Sequence, residues 1–164
     1  MAQPSVVVAF TSRCGSTETL AHAAAVGTVN ARALPRLRRL PDDGAPVPPE
    51  CAATLARMQK EYVAPTDADL TNTPGLIVVP SAGMTPASEP WRPLMQTLER
   101  LSASGALAGK VGAVIDTGDP ATTAAFSSAL AGLGISLVSV EGAARAHGRA
   151  VGDTLAARLA QPPR

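Results

Sequence analysis

Four short, nearly unbroken apolar runs, separated by stretches with helical spacing, constrain this chain more than any other feature. They are SVVVAF (residues 5–10), GLIVV (75–79), VGAVI (111–115) and ISLVSV (135–140). A strand with one wet face alternates apolar and polar residues, whereas a strand covered on both faces has no such need. The runs therefore predict strands of a parallel sheet covered on both sides. The spacers predict helices. Residues 17–29 place Leu20, Ala23, Ala24 and Val26 on one stripe, and residues 49–63 open on Pro49 and carry Leu55, Met58 and Tyr62. Residues 90–104 carry Leu94, Leu98 and Leu101, residues 122–133 form a small-residue helix, and residues 148–160 carry Val151, Leu155 and Leu159.

A weaker strand candidate, residues 31–40, contains Pro35. Proline donates no ladder hydrogen bond, so this strand belongs at a sheet edge. Strict alternation of strand and helix implies a doubly wound α/β sheet. Of the two common strand orders, 2-1-3-4-5 is the one that leaves the second strand at an edge. The expected fold is thus a three-layer α/β sandwich, a five-stranded parallel sheet of order 2-1-3-4-5 with five helices on its two faces. At 164 residues, with no internal repeat, it is expected to be a single domain spanning 1–164. Aromatic residues make up only 2% of the chain, so the core must be built from small and branched aliphatics.

A net charge of +1 offers no basic excess for nucleic acid. No apolar run approaches the roughly 20 residues that span a bilayer, so no membrane partner is expected. The start MAQPSVVVAF lacks the cationic, apolar make-up of a signal peptide, which suits a cytoplasmic protein. Two cysteines, Cys14 and Cys51, give no disulfide framework.

In sheets of this kind ligands bind beyond the carboxyl ends of the strands, at the switch point between strands 1 and 3. Four loops leave that edge: residues 11–17, 80–90, 116–121 and 141–147. The first, TSRCGST, is rich in hydroxyls, carries Gly15 and runs straight into a helix. Its amides and the Ser12, Ser16 and Thr17 hydroxyls suit a phosphate at a helix N-terminus, with Arg13 adding charge. The competing reading is plain capping by Ser16 or Thr17. Neither nucleotide motif, G-x-x-x-x-G-K-[ST] nor G-x-G-x-x-G, is present. A C-x5-R phosphatase loop fails at Leu20, and a phosphoacceptor site fails because Thr11–Ser12 and Pro80–Ser81 stand where carboxylates would be needed.

The segment SRCGSTETLA resembles the phosphate loop of the flavodoxin-like superfamily, most of all the WrbA family of NAD(P)H:quinone oxidoreductases. VVPSAGM, SASGALAGKVGAVIDTGD and ARAHGRAVGDTLAARLA resemble, in order, that family's second flavin loop, its third loop with the strand before it, and its last helix. The resemblance implies an FMN-binding flavoprotein. Ser12, Arg13, Cys14, Gly15, Ser16 and Thr17 would hold the phosphate. Pro80, Ser81, Ala82, Gly83 and Met84 would line one edge of the isoalloxazine, and Asp116, Thr117, Gly118 and Asp119 would contact the ring or ribityl chain. Backbone amides in such loops tune a flavin without a catalytic side chain. The implied activity passes a hydride from NAD(P)H to FMN and on to a quinone or similar small acceptor, with a homo-oligomer, a dimer or tetramer, as the possible assembly. Two other readings stand beside it. A flavodoxin-type electron carrier is usually strongly acidic, unlike this chain. A domain that kept the fold and lost the flavin would explain the few aromatics and the short third loop.

Several residues have two readings. Trp91, the only tryptophan, follows the second loop and either covers the ring or packs in the core or at a subunit contact. Cys14 at a helix start is a redox-sensitive thiol or merely an amide donor. His22 is expected to be a surface or packing residue, and His147 either meets substrate or is structural. Arg36, Arg38 and Arg39 are expected to protect the sheet edge or form a solvated face.

Overall fold

The computed structural model describes residues 3–42 and 44–161. Five parallel strands, β1 (Ser5–Phe10), β2 (Leu34–Arg39), β3 (Gly75–Val79), β4 (Val111–Val114) and β5 (Ser136–Leu137), lie in the order β2-β1-β3-β4-β5. Among the described residues six α-helices accompany them: α1 (Ser16–Asn30), α2 (Ala52–Glu61), α3 (Asp67–Asn72), α4 (Arg92–Ala103), α5 (Pro120–Gly132) and α6 (Ala144–Leu159). A 3-10 turn, Pro49–Cys51, leads into α2. The edge position of β2 is the one Pro35 requires, and Pro35 lies opposite Val6 in the register.

Alternate residues of the central strands serve the two faces. Val6, Val8, Phe10, Ile77 and Val79 pack with Ala21, Ala24, Val151 and Leu155 of α1 and α6. Val7, Ala9, Leu76 and Val78 pack with Leu94, Leu98, Phe126 and Leu130 of α4 and α5. Both layers of core are therefore mostly aliphatic, as the composition requires. Trp91 is wholly buried in the second layer, edge-on to Phe126 with ring centroids 4.9 Å apart. Of its two readings, the core one is correct.

Four details depart from expectation. β5 is two residues long rather than six, because it is an edge strand with β4 as its one partner. Ile135 anchors it in the core, while Ser136 and Ser139 face solvent. The segment between β2 and β3 holds two helices, not one. α3 is nucleated by a reciprocal cap in which Thr66 Oγ1 accepts from the Asp69 amide and the Asp69 carboxylate accepts from the Thr66 amide. α6 begins at Ala144, so Gly148 lies inside it rather than opening it. There it faces α1 so closely that a Cβ would collide with the Ala24 carbonyl. Finally, Cys14 and Cys51 are joined in a disulfide, with Cα atoms 4.9 Å apart. Spacing alone did not reveal this pair, because the approach depends on how α2 folds back onto α1.

Candidate cofactor site

β1 ends at Phe10, and the chain turns through residues 11–15 into α1. Gly15 makes the turn with φ of 98°, a left-handed value that a side chain strains. It is the residue before the first turn of α1 and brings no side-chain cap. Neither Ser16 nor Thr17 is a cap: both lie inside the helix. This distinguishes α1 from α3 and α5, whose first amides are taken by Thr66 and Asp119. The α1 amides are left facing the loop, at the positive end of a 15-residue helix.

The loop is braced from below. Ser12 is buried, and its hydroxyl accepts from the Gly15 amide at 3.2 Å. Its carbonyl accepts from Arg39 Nε at 3.1 Å and from Nη2 at 2.8 Å. Arg39 is only 7% exposed and also pairs with Asp42 at 3.0 Å. Burial alone would raise the Asp42 carboxyl, but hydrogen bonds from Arg39 and the Gly44 amide outweigh it and hold it below the usual range. A buried guanidinium thus sits directly behind the loop. Of the two expectations for the β2 arginines, edge protection or a solvated face, the solvated face is corrected. Arg38 makes a fork to Asp69 at 2.9 and 3.2 Å, and only Arg36 stays half-exposed.

Glu18, in the first turn of α1, would oppose an anion were it free. Instead Arg57 of α2 donates to both of its oxygens, at 2.6 and 3.0 Å, and the Tyr62 hydroxyl donates at 2.6 Å. The Arg57 hydrogen bonds keep Glu18 below its usual range, against the opposing effect of burial. Burial, and then the bond to Glu18, push Tyr62 up. With its proton committed to Glu18, the Tyr62 oxygen accepts from His22 Nε2 at 2.7 Å. His22 is therefore a surface residue tied to this network.

The second loop lies against the first. Ser81 bonds to Thr11 through amide and hydroxyl, at 3.1 and 2.9 Å, and its hydroxyl lies 3.5 Å from that of Thr17. Thr11 Oγ1 also meets Met84 Sδ at 3.4 Å. The third loop is tied to the second. Thr117 Oγ1 donates to the Pro80 carbonyl at 2.8 Å, and Asp119 accepts from the Gly83 amide at 2.9 Å while capping α5. Hydrogen bonds from Thr122 and Gly83 hold Asp119 below its usual range. Asp116 accepts from the Gly118 amide at 2.8 Å. Ser16, Ala82, Gly83, Asp116 and Gly118 remain exposed. The three loops form one continuous shelf along the carboxyl edge of β1, β3 and β4. The fourth loop opens α6, and His147 Nδ1 meets the Ala143 carbonyl of its own helix at 3.2 Å.

Comparison of the fold with solved structures gives consistent neighbours. A short-chain flavodoxin associated with a bacterial microcompartment aligns over 95% of this chain and 99% of its own, with a TM-score of 0.63 at 14% identity. A WrbA-like flavodoxin from Agrobacterium tumefaciens aligns over 97% and 100%, with a TM-score of 0.58 at 19% identity. A diflavin flavoprotein A3 from Nostoc sp. aligns over 97% and 98%, with a TM-score of 0.57 at 19% identity. The fold is flavodoxin-like. No family model and no curated protein matches the sequence.

For a flavodoxin-like shelf, the residues present fit the phosphate end of FMN well. The uncapped α1 amides, the Gly15 turn and the exposed Ser16 hydroxyl line the loop, with Ser12 and Thr17 buried beneath, and the nearby Glu18 and Asp42 carboxylates are paired with Arg57 and Arg39. The ring end is more open. Among the described residues no aromatic side chain lies on it, and the Gly83 amide is shared between Asp119 and Thr122. A ring there would rest on exposed backbone. Arg39, Arg57 and Tyr62 were missed as parts of the site. Arg39 had a usable signal, since it ends β2 on the same edge as the loops. Arg57 and Tyr62 had none, because their partner Glu18 lies 39 and 44 residues away. Among the described residues there is no cluster suited to a metal ion, and no helix is long and apolar enough to cross a membrane.

Proposed function

We propose that the chain holds FMN by its phosphate on the 12–17 loop and acts in the cytoplasm as an NAD(P)H-dependent oxidoreductase toward quinones or similar small acceptors. The observation that carries this reading is the uncapped start of α1, set at the β1/β3 switch point and backed by buried Arg39. When bound, FMN supplies the two-electron chemistry, taking hydride from the nicotinamide and delivering reducing equivalents to the acceptor. The chain's own residues orient and anchor. Amides of residues 16 and 17 would meet the phosphate, while Ser12 keeps the turn in shape through the Gly15 amide and Arg39 fixes Ser12. Ala82, Gly83, Asp116 and Gly118 offer an exposed bed on which a ring stays open to donor and acceptor, with room for a neighbouring subunit of a homo-oligomer above it. A net charge of +1 favours this reading over a carrier steered to a charged partner.

One specific observation supports a second reading, a flavodoxin-like domain without flavin: the Gly83 amide is already satisfied and no aromatic covers the ring bed. Absorbance of the purified protein with added FMN separates the two. A bound-flavin spectrum, followed by NAD(P)H oxidation that depends on added quinone, supports the first reading; no binding supports the second. Ser16→Asp tests the loop itself. Ser16 is exposed at the first helical position. A carboxylate there suits the helix dipole and should leave the fold intact or slightly stabler. It should weaken FMN binding by at least about a hundredfold, roughly 3 kcal/mol. Unchanged FMN affinity in that variant would show that the phosphate lies elsewhere.

A further inference from the structure

The disulfide joins the middle of the phosphate loop to a helix that has few other anchors. Cys14 is exposed, whereas Cys51 is half-buried and stands immediately before α2. The first turn of α2 rests on the loop, with Thr54 Cγ2 3.3 Å from where a Cβ on Gly15 would stand. Beyond that turn α2 buries a single side chain, Met58. Its ion pair with Glu18 runs through Arg57, which is 44% exposed. The chain leading into the Pro49–Cys51 turn, residues 44–48, is also mostly exposed. The covalent link thus fixes the start of α2 directly to the loop, while Arg57 and, just past the helix, Tyr62 hold its far end to Glu18.

We infer that the Cys14–Cys51 pair is a thiol–disulfide switch on this site, tight for a phosphomonoester when oxidised and weak when reduced; this rests on the phosphate-loop reading above. Two effects act in the same direction. The cross-link holds the loop in one shape before the ligand arrives, which lowers the ordering cost of binding. Reduction removes that restraint and leaves a free Cys14 thiol beside the start of α1, where thiols ionise readily and a thiolate would repel a phosphate. The step balances with a dithiol reductant. One of its thiolates attacks the exposed Cys14 sulfur, forming a mixed disulfide and releasing Cys51, which takes up a proton. The second thiol of the reductant then displaces Cys14 as a thiolate, its own proton passing to solvent. Two electrons and one net proton pass to the protein, and the reductant becomes a disulfide.

The test compares three preparations: oxidised protein, the same protein after dithiothreitol, and Cys51→Ser. Thiol alkylation and mass spectrometry confirm the state of each. Dissociation constants are measured for FMN, for riboflavin, which lacks the phosphate, and for inorganic phosphate. Oxidised protein is expected to bind FMN and phosphate at least about tenfold more tightly than reduced protein. Cys51→Ser should match the reduced form and ignore dithiothreitol, and riboflavin should bind equally in all three. Equal FMN affinity in the oxidised and reduced forms overturns the switch and leaves the proposed function standing. A parallel loss of riboflavin affinity on reduction also overturns it, since that reports general loosening. No binding of FMN or phosphate in any form overturns the proposed function, and the switch with it.

Discussion

A single buried guanidinium, Arg39, decides the shape of the candidate site. It spends two hydrogen bonds on the Ser12 carbonyl and one on Asp42, so it is both a brace for the loop and half of a buried ion pair. Removing it by Arg39→Ala leaves the Ser12 carbonyl without these donors and takes the ion-pair partner from Asp42, which keeps its hydrogen bond from the Gly44 amide. The expected cost is about 3 kcal/mol in urea unfolding, with FMN affinity falling in parallel. Arg39→Lys keeps the charge but cannot make the fork, so it should recover part of the stability and less of the binding. Equal binding by Arg39→Lys and the native protein would reduce Arg39 to a source of charge. The role of Arg39 was half legible. Its place at the carboxyl end of β2 follows from the strand pattern, but its burial does not, because an edge strand normally turns its charges to water.

At the scale of elements, two contacts add to the aliphatic packing of the helical layers and can be tested singly. α1 and α6 touch backbone to backbone where Gly148 meets Ala24. Gly148→Val would drive the helices apart, and we expect a loss of at least about 3 kcal/mol, read as a lowered melting temperature. Gly142→Ala, in the loop ahead of α6, would meet only Ala146 Cβ at 3.6 Å and serves as the control for backbone strain alone. On the other side of the sheet edge, Asp69 ties α3 to β2. Its hydrogen bonds from Arg38 hold the carboxyl down to about 2, from the usual 3.8. A carboxyl lowered on folding stabilises the fold above its unfolded pKa and stops doing so as pH falls through the folded one. The urea midpoint should therefore drop between about pH 4 and pH 2, and Asp69→Asn should flatten that drop. An equal drop in the variant would assign the acid transition to other carboxylates.

For the molecule as a whole, near-neutral charge sets how partners are met. With +1 overall, long-range steering is weak. Quinone reduction should change by less than about twofold between about 0.01 and 0.5 M salt. A steep salt dependence would instead point to a charged protein partner and to the carrier reading. The same scale holds the one large surprise, a covalent link across 37 residues. It joins the 12–17 loop to the start of the 49–63 segment, which the sequence showed only as a helix.

Strand identity, strand order and the sheet edge from which the candidate loops leave were all legible in the residues. They rest on local rules: continuous apolar runs mean strands covered on both faces, Pro35 cannot sit inside a sheet, and a hydroxyl-rich, glycine-bearing turn at a helix start presents amides. The truncation of β5, the second helix between β2 and β3, the burial of Arg39 and Trp91, and the Cys14–Cys51 bond were not. Each depends on which distant segment arrives as a neighbour, and that is settled only when the α2 segment folds over the β2 edge and the helices pack on the sheet.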